Sequence, residues 1–325
     1  MTVQAFSQRS LTAWIRLARI PFLTATIIPT VLGAVIAWDL HKSFHLGRFI
    51  LTLIGAVCLH IGTNIINDYF DFQSGCDVIN VDGFPPITGG SHVLVEGLIK
   101  PRSAYIAALS LFSIAAVIGV ILSIIVGWII IVLGLIGVIS GYFYVKHFAA
   151  HGLGEFAVGL NFGPLMVFGS YYVQAQNISF TPFIASVPVG LLVTAVLWIN
   201  EIPDYEADKK VNKKTLVVRV GRRCAADLYG IIVISAYTWI LMMVMLGQMP
   251  PASISTFVTL PLAIKAITIA RKYYDKPRVM IAANLSTVKT HLLFGLLMIA
   301  GYVIKYFYPL ALITPESLIC RLFDR

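Results

Sequence analysis

Residues 48–77 read RFILTLIGAVCLHIGTNIINDYFDFQSGCD. The first twenty of these are mostly apolar, and a helix crossing a bilayer needs about 20 such residues. The stretch then ends in amides and carboxylates: Asn64, Asn67, Asp68, Asp71 and Asp77. On a helix, positions three, four and seven apart share a face. Asn64, Asn67, Asp68 and Asp71 therefore converge their oxygens at one helix end. Carboxylates at a membrane helix end are costly unless hydrated, paired or bound to metal.

A second stretch repeats the arrangement. In Asn200-Glu201-Ile202-Pro203-Asp204-Tyr205-Glu206-Ala207-Asp208, the residues Asn200, Asp204 and Asp208 are spaced by four and form another oxygen-rich stripe. Asn64 and Asp68 precede Asn200 and Asp204 by the same 136 residues. That spacing fits a tandem four-helix unit with one extra helix. A solvated acidic helix end would be the plain reading of one stripe; two in matched positions, each with amide partners, weigh against it. Hard oxygen ligands without His or Cys suit Mg²⁺, which keeps water and shares substrate phosphates. Two such faces at one mouth would clamp a diphosphate through bridging metal.

The whole chain agrees with a bilayer setting. Of its 325 residues, 58% are hydrophobic and only 12% charged, and the mean hydropathy is +0.86. A soluble fold could not hide so much apolar surface. Nine runs are long enough to span: 18–38, 48–67, 103–122, 125–145, 155–174, 181–201, 226–247, 254–272 and 288–307. The third and fourth are almost fused, with Gly127 near the junction. The expected fold is all-α and polytopic, one domain over 1–325. Cys58, Cys76, Cys224 and Cys320 lack CxxC spacing and read as unpaired. The first apolar run is too long for a cleavable signal. His60, His147, His151 and His291 lack ligand spacing.

Charge sets the orientation. The net charge is +9, but the basic residues lie in short loops between apolar runs, which weighs against nucleic acid as a partner. One side of the membrane collects Arg9, Arg16, Arg19, Lys100, Arg102, Lys146, the Lys209–Arg223 group, the Arg271–Arg278 group and Lys289. The other collects only Lys42, Arg48, Lys305, Arg321 and Arg325; Lys265 lies inside a span. The positive-inside rule then puts the N-terminus in the cytoplasm and the C-terminus outside. Ten of the fifteen acids sit at the cytoplasmic mouth: Asp68, Asp71, Asp77, Asp82, Glu96, Glu155, Glu201, Asp204, Glu206 and Asp208.

Asn67-Asp68-x-x-Asp71 with Asp204-x-x-x-Asp208, at the ends of spans two and six, resembles the UbiA superfamily of intramembrane prenyltransferases. The resemblance covers nearly the whole chain. It implies a helical bundle with a central cavity, Mg²⁺, a polyprenyl diphosphate donor and both motifs facing the cytoplasm of the inner membrane. Asp68, Asp71, Asp204 and Asp208 are then the expected catalytic residues and, with Asp77, the metal ligands. Asn64, Asn67, Ser91, Lys146, Asn200, Lys213 and Arg219 are expected to contact substrate. The pair Gly89-Gly90 would let backbone N–H groups approach a phosphate.

Other stretches resemble the dihydroxynaphthoate branch, which builds menaquinone: Gly89 to Leu94, Gly152 to Glu155 and Lys213 to Gly221. They imply 1,4-dihydroxy-2-naphthoate as the aromatic acceptor. Two positions depart from that branch, which usually has Arg where this chain has Pro203 and often has Arg where it has His92. A hydroxybenzoate, a homogentisate-like ring or a lipid alcohol is the alternative acceptor. The rival from another class is a secondary transporter, whose site would lie nearer the midplane.

The orientation is directly testable. A cysteine placed at Ser91 should stay unmodified by an impermeant thiol reagent in intact cells; modification there would reverse the assignment.

Overall fold

The computed structural model describes residues 3–80, 83–85 and 87–308, with side chains from Leu11 onward. Asp82, Cys320, Arg321, Arg325 and the side chain of Arg9 lie outside the described residues. Among those described there are helices and no strands. In chain order they are α1 (Val3–Ala18), α2 (Ile20–His41), α3 (Leu46–Ser74), the short α4 (Cys76–Ile79), α5 (Pro101–Val126), α6 (Ile129–His151), α7 (Gly154–Ala175), α8 (Thr181–Lys210), the short α9 (Leu216–Val220), α10 (Arg222–Met245), α11 (Pro251–Tyr273) and α12 (Pro277–Phe307).

All nine expected spans are present as helices long and apolar enough to cross a bilayer. Gly127 (φ 118°) parts α5 from α6. Several helices outrun their apolar runs. α3 continues to Ser74, α8 to Lys210, and α12 begins at Pro277 rather than near 288. The apolar run marks only the hydrocarbon-crossing part, whereas backbone satisfaction favours continuing the helix through the polar turns. α1 corresponds to none of the expected spans and is an addition. Its last residue, Ala18, accepts the Asn64 side-chain amide through its carbonyl (3.0 Å).

Two apolar clusters hold the bundle. The larger joins α2, α7, α8, α10, α11 and α12 around Ile28, Leu32, Val167, Tyr171, Trp198 and Phe294. The smaller joins α1, α3, α5 and the end of α6. Small residues let the helices approach. A Cβ on Gly33 of α2 would run into the Val167 carbonyl of α7 and stand 2.9 Å from the Tyr171 nitrogen. Close backbone packing of this kind replaces the hydrophobic drive that lipid removes.

Prolines inside α8 are accommodated one by one. A helical proline leaves the carbonyl four residues back without its donor. For Pro188 that carbonyl is Ile184, and the Trp239 indole N–H of α10 fills the vacancy at 2.9 Å. For Pro203 it is Ile199, and the Asn284 amide of α12 donates to it at 3.0 Å. Each proline is thus matched by a donor from a neighbouring helix.

Gly33→Val should cost about 1–3 kcal/mol through overpacking at the α2–α7 contact. Gly47→Val, where a Cβ meets nothing within 4 Å, should cost far less. Thermal unfolding of the two detergent-solubilised variants compares them; equal midpoints would remove Gly33 from the account.

Candidate active site

The ends of α3 and α8 bring the two carboxylate stripes together, and Lys213 joins them. Its ammonium lies 3.2 Å from Asp71 and 3.5 Å from Asp208. Burial works against the Lys213 charge, but Asp208 and Asp71 outweigh it and raise its pKa. Arg19, at the junction of α1 and α2, pairs with Asp68. Its pKa is raised for the same reason, with burial opposed by Asp68 and Asp77. Asp68 and Asp208 are almost fully buried. An unpaired buried carboxylate costs several kcal/mol, so these two cations are what makes the cluster tolerable.

The loop after α4 folds back over the mouth and supplies donors. Gly89 N–H reaches Asp204 at 3.0 Å, Ser91 N–H reaches Asp68 at 3.0 Å, and the Asn80 amide reaches Asp204 at 2.9 Å. Gly89 (φ 72°) and Gly90 (φ 77°) adopt the left-handed conformation this requires. A Cβ on Gly90 would stand 2.8 Å from the Asp77 carboxyl, so the loop can lie on Asp77 only with glycine there. Burial, then Asp71 and Asp68, push the Asp77 carboxyl up to about 9. The Gly89 and Ser91 donors expected for a phosphate are thus engaged with aspartates. Arg16 clamps the same loop through Glu96 (2.8 Å) and the Ser91 carbonyl (2.8 Å).

The remaining expected residues divide. Asn200 accepts from Asn284 at 2.6 Å, and Asn64 is tied to Ala18 as described. Asn67 is at the mouth, and its buried Oδ1 has no partner. Lys146 is exposed, with its ammonium 4.2 Å from the centre of the Phe70 ring. Arg219 donates to the carbonyls of Lys214 (3.0 Å) and His151 (2.7 Å), bracing the loop at Gly152. The cysteines described are free, and buried Cys76 donates to Asp208 at 3.4 Å. Sequence reasoning had placed Arg19 only among the topology-setting charges and had not seen Asn80 or Asn284. No local spacing ties Arg19 to a partner 49 residues away.

Below the mouth lies an apolar cavity of about 340 Å³ between α3, α5, α6 and α7. On α3 its wall runs from Thr63 to Thr52, about 16 Å along the axis at 1.5 Å per residue. Tyr144 lines its upper end and lies close enough to Asp71 and Lys213 to feel their charges. His60, held by Thr26 at 2.6 Å, and Phe162 also contribute to the wall.

The donor set suits a hard cation: five aspartates, one orphaned amide oxygen and no imidazole. Among the described residues, no group of three or more His, Cys, Asp or Glu closes around a single point. The oxygen-only character of these side chains is what Mg²⁺ prefers.

The profile of the UbiA prenyltransferase family matches residues 26–288. The chain belongs to this family. Among UbiA relatives, a 1,4-dihydroxy-2-naphthoate octaprenyltransferase of Bacillus subtilis is 31% identical over 90% of this chain and 92% of its own. A 2-carboxy-1,4-naphthoquinone phytyltransferase of Synechocystis is 26% identical over 89% and 92%. A UbiA homolog from Archaeoglobus fulgidus, solved with GPP and Mg²⁺, superposes with a TM-score of 0.59 at 15% identity, covering 89% of this chain and 99% of that one. The protein is a multi-pass membrane prenyltransferase.

Asp68→Ala, Asp71→Ala, Asp204→Ala and Asp208→Ala should each lower kcat by at least about 10²–10³-fold, the usual cost of losing a charge stabiliser at the reacting centre. Pyrophosphate release by purified variants measures it. Near-normal rates in all four would relocate the site.

Proposed function

We propose that the protein transfers a polyprenyl group from its diphosphate to 1,4-dihydroxy-2-naphthoate, giving a menaquinone precursor. The observation that carries this is the junction at Tyr144, where an apolar cavity meets a carboxylate mouth. One molecule with a long apolar tail and a diphosphate head would fill both. The naphthoate relatives, matched over nine-tenths of the chain, favour that acceptor. The chain would act as one unit over 1–325, in the bacterial inner membrane, with its mouth and N-terminus cytoplasmic.

The residues would share the work as follows. Asp68, Asp71, Asp77, Asp204 and Asp208 would hold Mg²⁺. Bound there, Mg²⁺ would draw off the negative charge developing on the departing diphosphate. Lys213 and Arg19 are within reach of that charge and would turn from their aspartates toward it. Asn67 would accept from a water or substrate group, and Lys146 would add positive charge at the rim. The cavity wall would keep water from the allylic cation until the acceptor carbon attacks. An aromatic diol is electron-rich enough to attack without a strong base. This leaves the aspartates free to bind metal.

Two measurements test the reading. EDTA should abolish pyrophosphate release, Mg²⁺ or Mn²⁺ should restore it, and Zn²⁺ should do so less well because the ligands are all oxygens. The gene should also restore menaquinone to a bacterial host lacking its own naphthoate prenyltransferase. Activity on another acceptor without such rescue would reject the naphthoate and keep the reaction.

A further inference from the structure

A second hollow lies on α10 and α11, and none of the residues lining it belongs to the mouth or to the apolar cavity. It is an open groove of about 510 Å³, walled by Gly230, Ile234, Thr238 and Met242 on α10 and by Ile267 on α11. Ile234 and Met242 are each 42% exposed, so the groove opens outward from the bundle. The two helices come close along it, where a Cβ on Gly230 would stand 3.2 Å from Ile267. Polar side chains in the wall turn their donors elsewhere. The Thr238 hydroxyl donates to the Ile234 carbonyl at 3.1 Å, and the Trp239 indole donates to the Ile184 carbonyl at 2.9 Å. From Asp227 to Met242 the groove follows α10 for about 22 Å at 1.5 Å per residue. One leaflet supplies about 15 Å of hydrocarbon, half of the bilayer core. A groove of this length runs the depth of a leaflet and emerges among its head groups.

The head-group end is basic. Arg271 and Asp227 close the groove there, and Arg271 Nε donates to Asp227 at 2.7 Å. That bond uses one edge of the guanidinium. Among the described residues its two terminal nitrogens have no partner, and the side chain is 63% exposed. An arginine fork matches a phosphate through parallel N–H bonds, and Asp227 fixes the plane in which the fork is offered. Across residues 223–227 and 271–278, Arg223, Arg271, Lys272, Lys276 and Arg278 stand against two acids, Asp227 and Asp275. This end is also the mouth's end of the bundle, since Arg222 at the start of α10 pairs with Glu206 of α8 at 3.6 Å.

We infer that the groove holds an anionic phospholipid from the leaflet on the mouth side, its phosphate on the Arg271 fork and one acyl chain laid along α10 as far as Met242. Basic pockets at the cytoplasmic ends of membrane helices take anionic head groups, and here such a pocket continues into an apolar track. A free phosphate would leave that track uncovered. A zwitterionic head group would bring a further cation to a rim that already has three in excess. A second copy of the chain, related by a two-fold axis along the membrane normal, would set two such rims against each other. An anionic lipid meets both the charge and the track.

Native mass spectrometry of the full-length protein, released from detergent with added dioleoyl phosphatidylglycerol or dioleoyl phosphatidylcholine, counts the lipids retained. The wild type should keep one phosphatidylglycerol per chain at concentrations where phosphatidylcholine is lost. Arg271→Gln should weaken that retention about tenfold, the usual worth of one charge-assisted contact. Arg102→Gln removes an equally exposed cation on the same side and should change nothing. Thr238→Phe fills the track from an exposed position and should lose the lipid with the basic rim intact. Because Arg271 and Thr238 are both exposed, either variant reads the site if the other fails to fold. Equal retention of the two lipids by the wild type, retention unchanged in Arg271→Gln, or an equal loss in Arg102→Gln overturns the proposal. A lipid-free dimer that Thr238→Phe abolishes gives the groove to a second copy and overturns it as well.

Discussion

Everything at the mouth depends on two cations holding apart carboxylates that would otherwise repel one another in a poorly solvated place. Lys213 bridges the two motifs through Asp71 and Asp208, and Arg19 pairs with Asp68. With Asp77 held in its neutral form by burial and by its aspartate neighbours, Asp68, Asp71, Asp204 and Asp208 carry four negative charges against two positive ones. The two left over match the charge of one divalent ion. The cluster is therefore stable enough to fold and still short of neutrality. Complete pairing would leave a metal little to gain, whereas no pairing would cost several kcal/mol per buried charge.

The two motifs match at Asn64 and Asn200 and at Asp68 and Asp204, are offset by one residue at Asp71 and Asp208, and differ in their supports. Asn64 reaches out to cap the carbonyl at the end of α1, while Asn200 is reached by Asn284 from the last helix. The amides thus tie the motifs to opposite ends of the chain. α1 and α12 act as outer braces on a core of paired helices. The loop carrying Gly89 and Ser91 crosses from one motif to the other, donating to Asp204 and to Asp68. It fixes the separation of the stripes as firmly as the helices do.

Much of this was legible in sequence because it is local. Spans follow from run length, and the stripe of Asn64, Asn67, Asp68 and Asp71 follows from helical spacing alone. Gly127 at the α5–α6 junction could be read as a break. What escaped is what depends on chain folding over long separations. Arg19 carried the marks of a topology charge and turned out to be a counter-ion. Arg219 was expected to contact substrate, yet its guanidinium donates to the carbonyls of Lys214 and His151. Cys76 is unpaired as expected, but its contact with Asp208, 132 residues away, has no local signal. α1 was missed because its run is too polar for a span, and span-finding looks only for apolar length.

Pro203 has a consequence for anyone recombining this protein with its relatives. Because it withholds an N–H from Ile199, the amide of Asn284 has a carbonyl to occupy and from there also fixes Asn200. Positions 203 and 284 are thus a single heritable unit spread over two helices. A chimera that imported a second motif with an ordinary residue at 203 would restore the intrahelical bond, and Asn284 would have to compete for its berth. One that imported the last helix without its asparagine would strand both the carbonyl and the amide. Crossover points between α8 and α12 therefore fall inside a functional joint, and viable hybrids should inherit both positions from one parent.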